Sequence, residues 1–295
     1  MARAKPSDGW LGTVIYSQSA RRRGLLGPLG RWFRARAWIF LGQILMLVAF
    51  FSAWQFLPQI SALSELSHIF DPFFISSPLR IFIRLKEVTT GRGGDFLIWT
   101  YLWPTLASAL AGTAIGVTLG AIAGLILSSS RVLTQLFHPF VVAVNATPRI
   151  ALIPIVVIIA GPTFAASVVI CIMVVFFVAF FNAFEGGRTV APHLLNNAKL
   201  LGGSKFDLML HIRLPYVSAW TLAALPLAMT FAIISVVTGE ILTGYPGMGR
   251  LITIAAASAD ASLTFTVVIV LSVVGIVVVG LAELVKRRVL HWWAQ

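Results

Sequence analysis

The sequence predicts an all-α membrane protein with six transmembrane helices. Of its 295 residues, 58% are hydrophobic and only 11% are charged, against roughly 25% charged residues in an average soluble domain. So much apolar surface requires lipid as part of the solvent. The apolar residues are gathered into runs long enough to cross roughly 30 Å of hydrocarbon. Basic residues collect at both ends of the chain and between alternate runs, as they do on the cytoplasmic side of a membrane.

A basic tail, residues 1–37, precedes the first span and contains eight Lys or Arg and one acid, Asp8. The positive-inside rule places this tail in the cytoplasm. Segment 25–38 mixes tryptophan and phenylalanine with arginine, which predicts a short helix in the inner membrane interface. The first span is predicted at 38–56, and Pro58 ends it.

A linker of balanced charge, residues 58–99, separates the first span from the second at 105–127. Ser77 and Pro78 in this linker predict the start of an amphipathic helix. The second span contains four glycines spaced by four residues: Gly112, Gly116, Gly120 and Gly124. On a helix they form a stripe without side chains, which lets a neighbouring helix approach closely. We interpret the stripe as a packing seam within a subunit or at a dimer; the alternative is the general abundance of small residues in spans.

The remaining apolar runs predict four more spans, at 141–160, 164–184, 216–237 and 263–281. The third is interrupted by Pro148 and Pro154, and the fifth contains Pro226. Six spans place both termini in the cytoplasm and agree with the charge of every loop. The predicted organisation is a basic tail at 1–37, a six-span domain at 38–290 and a short C-terminal tail at 291–295.

The charge and the chemically reactive residues exclude several classes of function. Lys and Arg number 22 against 10 Asp and Glu, a net charge of +12. In a soluble protein this would suggest nucleic acid as a partner, but basic cytoplasmic loops account for it here. The lone Cys171 excludes a disulfide within the chain. The sequence has no metal-ligand spacing, phosphate-binding loop or paired catalytic residues, so we expect neither an enzyme nor a cofactor.

A polar stretch between the fourth and fifth spans, residues 191–215, predicts two short helices joined by an elbow. Pro192 suits the first turn of a helix, whose apolar face comprises Leu194, Leu195, Ala198 and Leu201. Gly202 stops that helix. Ser204 caps the next one, with Asp207 at capping-box spacing. A rigid elbow joined to a span suits the transmission of a mechanical push; an ordinary interfacial helix is the alternative.

The elbow resembles the coupling loop of binding-protein-dependent ABC importer permeases. The pattern of that family is Glu-Ala-Ala, three residues, Gly, nine residues, Ile, one residue and Leu-Pro. This chain keeps both spacings with Asn196-Asn197-Ala198, Gly202, Ile212 and Leu214-Pro215. Asn196 stands where the pattern has glutamate.

The chain further resembles the branch of this family that handles nitrate, sulfonates and taurine. Four segments carry this resemblance: Thr147-Pro148-Arg149-Ile150-Ala151-Leu152-Ile153-Pro154, Phe180-Phe181-Asn182, Leu201-Gly202-Gly203-Ser204 and Gly239-Glu240…Gly247-Met248-Gly249.

The resemblance implies a type I ABC importer-like fold in the bacterial plasma membrane. It also implies a permease dimer, two cytoplasmic ATPase subunits that bind ATP and Mg, and an extracytoplasmic solute-binding protein. The ATPase-coupling residues would be Leu194, Leu195, Asn196, Asn197, Ala198, Leu201, Gly202, Gly203, Ser204 and Pro215.

Polar residues within apolar runs predict the solute path. An ionisable group inside a span marks function by default, so we expect Arg149, with Asn145 and Asn182, to line the path and attract a small anion. The alternative is that Arg149 reaches the inner headgroups or pairs with Glu185. Glu240 is expected to act as an outer gate or packing residue.

A secondary transporter or channel is the alternative function, although inverted repeats and intramembrane acids are not evident.

Overall fold

The computed structural model describes residues 28–59, 75–91 and 97–291, except for some side chains that include those of Asn145 and Arg149. The chain forms two compact units, residues 1–53 and 54–295. The described residues of the first unit belong to helix α1, Pro28–Phe56. A 3-10 turn at Leu57–Gln59 follows this helix. The predicted interfacial helix lies partly outside the described residues, and from residue 28 onward its backbone is part of α1.

The described residues of the second unit are helical and contain no β-strand. Its first helices are α2 at Pro78–Thr90, α3 at Ile98–Ser128, α4 at Arg131–Ala146, α5 at Ile153–Ala160 and α6 at Phe164–Arg188. They are followed by α7 at Pro192–Leu200, α8 at Lys205–Leu208, α9 at Leu214–Ala223, α10 at Leu225–Thr243, α11 at Met248–Ala257 and α12 at Ala261–Val289.

Five helices in the described part of the chain are long and apolar enough to cross a membrane: Ala37–Phe56, Ile98–Ser128, Phe164–Arg188, Leu225–Thr243 and Ala261–Val289. They correspond to the first, second, fourth, fifth and sixth predicted spans. The all-α membrane fold is therefore confirmed.

The third predicted span, 141–160, is interrupted at Pro148, as the sequence predicted. Helix α4 ends at Ala146, and Thr147 adopts an extended backbone with ψ 129°. The residue before a proline is sterically disfavoured from helical geometry, so Pro148 separates α4 from the next helical segment. A 3-10 turn at Arg149–Leu152 then leads into α5. Two short helices thus take the place of one long span.

The fifth span is also divided, but it extends further than the sequence predicted. Helices α9 and α10 meet at Ala224, two residues before Pro226. Because proline has no N–H and fits the first turn of a helix, the chain restarts there as α10. This helix continues beyond the predicted end at Val237 to Thr243, where Gly244 ends it with φ +69°.

The glycine stripe of α3 packs against α6 within one chain. A Cβ placed on Gly112 would lie 2.4 Å from the Cys171 Cβ, and one on Gly124 would lie 2.5 Å from the Ala183 Cβ. Gly116 and Gly120 meet α6 in the same way, at Val175 and at the Phe176 carbonyl oxygen. All four glycines are buried. The absence of side chains brings the two helix backbones into contact, which packs the centre of the second unit.

Helix α2 is fastened to the start of α12 by polar contacts. Ser77 caps α2, which confirms the helix start predicted from Ser77 and Pro78. The Arg84 guanidinium lies 3.1 Å from the Asp260 carboxylate, with both side chains about three-quarters buried. The Ser76 and Ser262 hydroxyls are 2.7 Å apart. These contacts hold the linker helix against the last span.

Candidate coupling site and solute path

The first elbow helix, α7, ends in a glycine-dependent turn. Gly202 adopts φ +85°, a left-handed conformation that favours glycine. Its N–H donates to the Lys199 carbonyl at 3.0 Å, and the Gly203 N–H donates to the Ala198 carbonyl at 2.9 Å. This pair of bonds satisfies carbonyl groups that the helix end would leave unpaired. The turn directs the chain into the second elbow helix.

A capping box starts the second elbow helix, α8. The Ser204 side chain accepts a bond from the Asp207 N–H at 3.1 Å, and the Asp207 carboxylate accepts one from the Ser204 N–H at 3.0 Å. Hydrogen bonds from the side chain and backbone of Ser204 lower the pKa of the Asp207 carboxyl below its ordinary value. The stop at Gly202 and the cap at Ser204 were both predicted, because each depends on residues within five positions of one another.

The second elbow helix continues without a break into α9, the first part of the fifth predicted span. Helix α8 has only four residues and passes into a π-helical turn at Met209–Arg213, which leads directly into α9. Pro215 lies in the first turn of α9. Because this proline has no N–H to donate to an earlier carbonyl, a widened turn immediately before it relieves the crowding. The sequence signalled Pro215 but not the π-helical turn.

The tip of the elbow exposes large apolar side chains. Leu200 is 85% exposed, Leu201 is 89% exposed and Phe206 is 71% exposed. On α7, Leu195 and Ala198 are half-buried, whereas Asn196 and Asn197 are exposed. The predicted apolar face is therefore divided: its middle rests on the protein, and its end projects from it.

A polar cleft of about 750 Å³ lies beside the elbow. It is bounded by the end of α3, the start of α4, the end of α6, helix α7 and the π-helical turn; its lining residues include Ser128, Thr134, Gly187, Arg188, Asn196, Lys199 and Arg213. Gly187, one of the lining residues, packs closely against Ser128, since a Cβ there would lie 2.0 Å from the Ser128 Oγ. The cleft joins the elbow to the ends of three other helices.

Glu240 occupies a fully buried position near the end of α10. Its carboxylate accepts bonds from the Thr105 hydroxyl and from the Gly249 N–H at 2.9 Å. The Met248 N–H donates to the Thr105 oxygen at 2.9 Å. Glu240 thus ties the turn after α10, and the start of α11, to α3. Thr105 was not singled out in the sequence, because an isolated threonine in an apolar run carries no local signal.

The three residues predicted to line the solute path lie on different elements. Asn182 is half-buried on α6, and its side-chain amide donates to the Val178 carbonyl at 2.8 Å. Asn145 lies on α4 and Arg149 begins the 3-10 turn, but their side chains are outside the described part of the structure. Glu185, the alternative partner of Arg149, lies 3.7 Å from Arg188. Within the described residues, no group of three or more His, Cys, Asp or Glu could hold a metal ion.

Comparison with known proteins decides the family. Residues 116–291 match the family of the binding-protein-dependent transport system inner membrane component. This match covers more than half of the chain and includes the whole elbow. The chain belongs to this family. It is therefore the permease subunit of an ABC importer, a multi-pass protein of the inner membrane and not itself an enzyme. Membership implies ATPase and solute-binding partners in general.

Several permeases of named or general function are similar to this one. The riboflavin transport system permease of Chloroflexus aurantiacus is 24% identical over 91% of this chain and 96% of its own length. The formylaminopyrimidine transport permease of Halalkalibacterium halodurans is 25% identical over 75% of this chain and 87% of its own. A probable ABC transporter permease of Haemophilus influenzae is 28% identical over 59% of this chain and 71% of its own.

Proposed function

We propose that the elbow at 191–215 receives the movement of a cytoplasmic ATPase and carries it into the membrane. The observation that carries this proposal is the continuous helical backbone from the capped start at Ser204, through the π-helical turn, to α9. A displacement of α8 is transmitted directly to α9 because no flexible loop separates them. The hydrogen-bonded turn at Gly202 fixes the orientation of α7 relative to α8.

The exposed tip supports a protein partner at the elbow. Leu200, Leu201 and Phe206 are well exposed on a segment that the charge pattern places in the cytoplasm. Burying apolar surface contributes roughly 25 cal/mol per Å², so these three side chains favour association with a complementary surface. The other coupling residues set the geometry of the tip.

The assembly that we propose contains two copies of this permease, two ATPase subunits and one extracytoplasmic solute-binding protein. ATP and Mg bind to the ATPase subunits, and this chain binds no cofactor. Both termini of the permease face the cytoplasm, as the excess of basic residues in the segments 1–37 and 286–288 supports. The domain boundaries are those predicted from the sequence, with the six-span domain at 38–290.

For the solute, we propose a small nitrogen heterocycle. Two similar permeases, which cover three-quarters or more of this chain, are named for riboflavin and formylaminopyrimidine transport. A small anion such as a sulfonate, taurine or nitrate is the second proposal, favoured by Arg149 at the break of the third span. In either case Asn145, Arg149 and Asn182 line the path, and Glu240 closes or braces its outer end.

Two variants at the elbow test the coupling proposal. Gly202→Pro removes the donor to Lys199 and excludes the positive φ, and we expect it to abolish both ATPase co-purification and ATP-dependent uptake. Leu201→Ser changes only an exposed side chain, so it should fold normally and bind the ATPase more weakly. Arg250→Gln is the control, because Arg250 is exposed and lies outside the elbow. Normal uptake by Gly202→Pro would refute the proposal.

A ligand screen on the partner binding protein tests the solute. Riboflavin, a formylaminopyrimidine, taurine and nitrate are each added, and the melting temperature is recorded. A ligand that binds only the native state raises it. We expect an increase with a heterocycle; an increase with taurine or nitrate alone would refute the heterocycle and support the anion.

A further inference from the structure

The cleft beside the elbow is lined by three cations and by no acid among the described residues. Arg188 comes from the end of α6, Lys199 from α7, and Arg213 from the π-helical turn. Hydroxyl and amide groups from Ser129, Thr134, Gln135 and Asn196 complete the polar wall. Three positive charges that share one cleft repel each other, so the cleft favours an incoming negative group.

A backbone carbonyl group, rather than a carboxylate, holds the Arg213 side chain in place at the cleft. Its guanidinium donates to the Ser128 carbonyl oxygen, and it forms no ion pair with any described residue. The side chain is half-buried, and this desolvation lowers the pKa of the guanidinium below its ordinary value. A guanidinium has five N–H donors in a rigid fork suited to a carboxylate.

The other two cations are accessible at the mouth of the cleft. Lys199 is exposed and has no ion-pair partner among the described residues. Arg188 lies 3.7 Å from Glu185, with both side chains about half exposed. Solvent makes such a pair weak, so Glu185 does not neutralise the cleft. Asn196, which stands at the glutamate position of the family pattern, adds no negative charge to the same wall.

We infer that this cleft receives an Asp or Glu side chain of the ATPase subunit, which Arg188, Lys199 and Arg213 bind in the absence of an acid at position 196. This inference rests on the proposed coupling function. Four residues of α7 line the cleft, namely Pro192, Leu195, Asn196 and Lys199. The same helix ends at the exposed Leu200 and Leu201. A protein that covers the apolar tip therefore lies next to the cleft and can place a carboxylate in it.

Zero-length cross-linking tests the contact directly. The permease and the ATPase that co-purifies with it are reconstituted in nanodiscs of phosphatidylcholine, which has no net negative charge, and treated with a carbodiimide. This reagent joins an amine and a carboxylate as an amide only where they touch. We expect mass spectrometry to identify an amide between Lys199 and an ATPase Asp or Glu. Cross-links that involve Lys205 but not Lys199 would refute the inference, since Lys205 does not line the cleft.

Binding measurements with matched variants give a second, independent readout. Lys199→Gln and Arg188→Gln remove charge from the cleft, and Lys205→Gln removes the same charge from an exposed site on the same elbow. We expect the first two to raise the Kd for the ATPase about fivefold or more at about 50 mM salt, with a smaller effect at about 300 mM. Lys205→Gln should stay within about twofold.

The outcomes separate this inference from the coupling function. If the ATPase binds wild type and both cleft variants equally, the coupling proposal stands and the inference fails. If the cleft variants lose affinity only in nanodiscs with phosphatidylglycerol, the cleft binds a lipid headgroup and the inference also fails. If no ATPase binds the wild-type permease, both fail. Equal melting temperatures of the variants and wild type will show that the changes are not losses of folding.

Discussion

The hydroxyl of Thr105 lies 2.8 and 2.9 Å from the two carboxylate oxygens of Glu240, although 135 positions separate the residues in the chain. The same oxygen atom of Thr105 accepts the Met248 N–H, and Glu240 accepts the Gly249 N–H. The Glu240 carboxylate, which we propose closes or braces the outer end of the path, is thus also a structural centre that joins α3, α10 and α11.

Removal of the Glu240 carboxylate should destabilise this permease. Glu240→Ala leaves the Gly249 N–H without its buried acceptor, which costs about 1–3 kcal/mol. We expect a lower melting temperature in nanodiscs. Thr230→Val is the control, because the exposed Thr230 hydroxyl bonds only within its own helix. Equal melting temperatures of the two variants would contradict the structural role of Glu240.

Substitution of Gly120, in the glycine stripe of α3, should cause a steric clash, whereas substitution of Gly280 on α12 should not. A Cβ at Gly120 would lie 2.5 Å from the Phe176 carbonyl oxygen, whereas one at Gly280 would meet nothing within 4 Å. Gly120→Ala should therefore destabilise the protein by about 1–3 kcal/mol. Gly280→Ala should be neutral or slightly stabilising, because alanine favours helix by up to about 1 kcal/mol over glycine. Chemical denaturation of the two variants measures the difference, and equal stabilities would contradict a tight α3–α6 contact.

The ion pair between Arg84 and Asp260 should contribute measurably to stability. Their side chains are 23% and 28% exposed, so solvent screens the pair less than a surface pair. A double-mutant cycle with Arg84→Gln and Asp260→Asn should give a coupling energy of about 1 kcal/mol. The pair Arg287 and Glu283, where Arg287 is 75% exposed, serves as the comparison and should give less. A coupling energy near zero at Arg84 would show that α2 is held by its other contacts.

The path prediction is tested at Arg149. Arg149→Gln removes the charge that we expect to attract solute, and a loss of ~1.4 kcal/mol corresponds to about tenfold lower uptake. The affinity of the binding protein should not change, because that site belongs to another chain. Uptake equal to that of wild type would exclude an essential role for Arg149, and Arg250→Gln controls for loss of a cation elsewhere.

The turn at Gly202 and the capping box from Ser204 to Asp207 were predictable because each is set by residues within five positions of one another. The apolar runs were predictable because crossing a membrane requires about 20 apolar residues in succession. The interruption of the third span was predictable from Pro148. The 3-10 turn at Arg149–Leu152 was not, because hydrophobicity is high on both sides of Pro148 and does not report the backbone angles.

The sequence by itself determined that this chain is an α-helical membrane protein with a two-helix elbow before its fifth span. Only the tertiary structure decided which helix fills the glycine stripe, what holds Glu240, and that Arg188, Lys199 and Arg213 line one cleft. The physical reason is the range of the interactions. Caps and turns act within one or two helical turns, and a hydrophobic run lies within one continuous stretch of the chain. These contacts instead join residues that are distant in the chain and meet only when the helices pack.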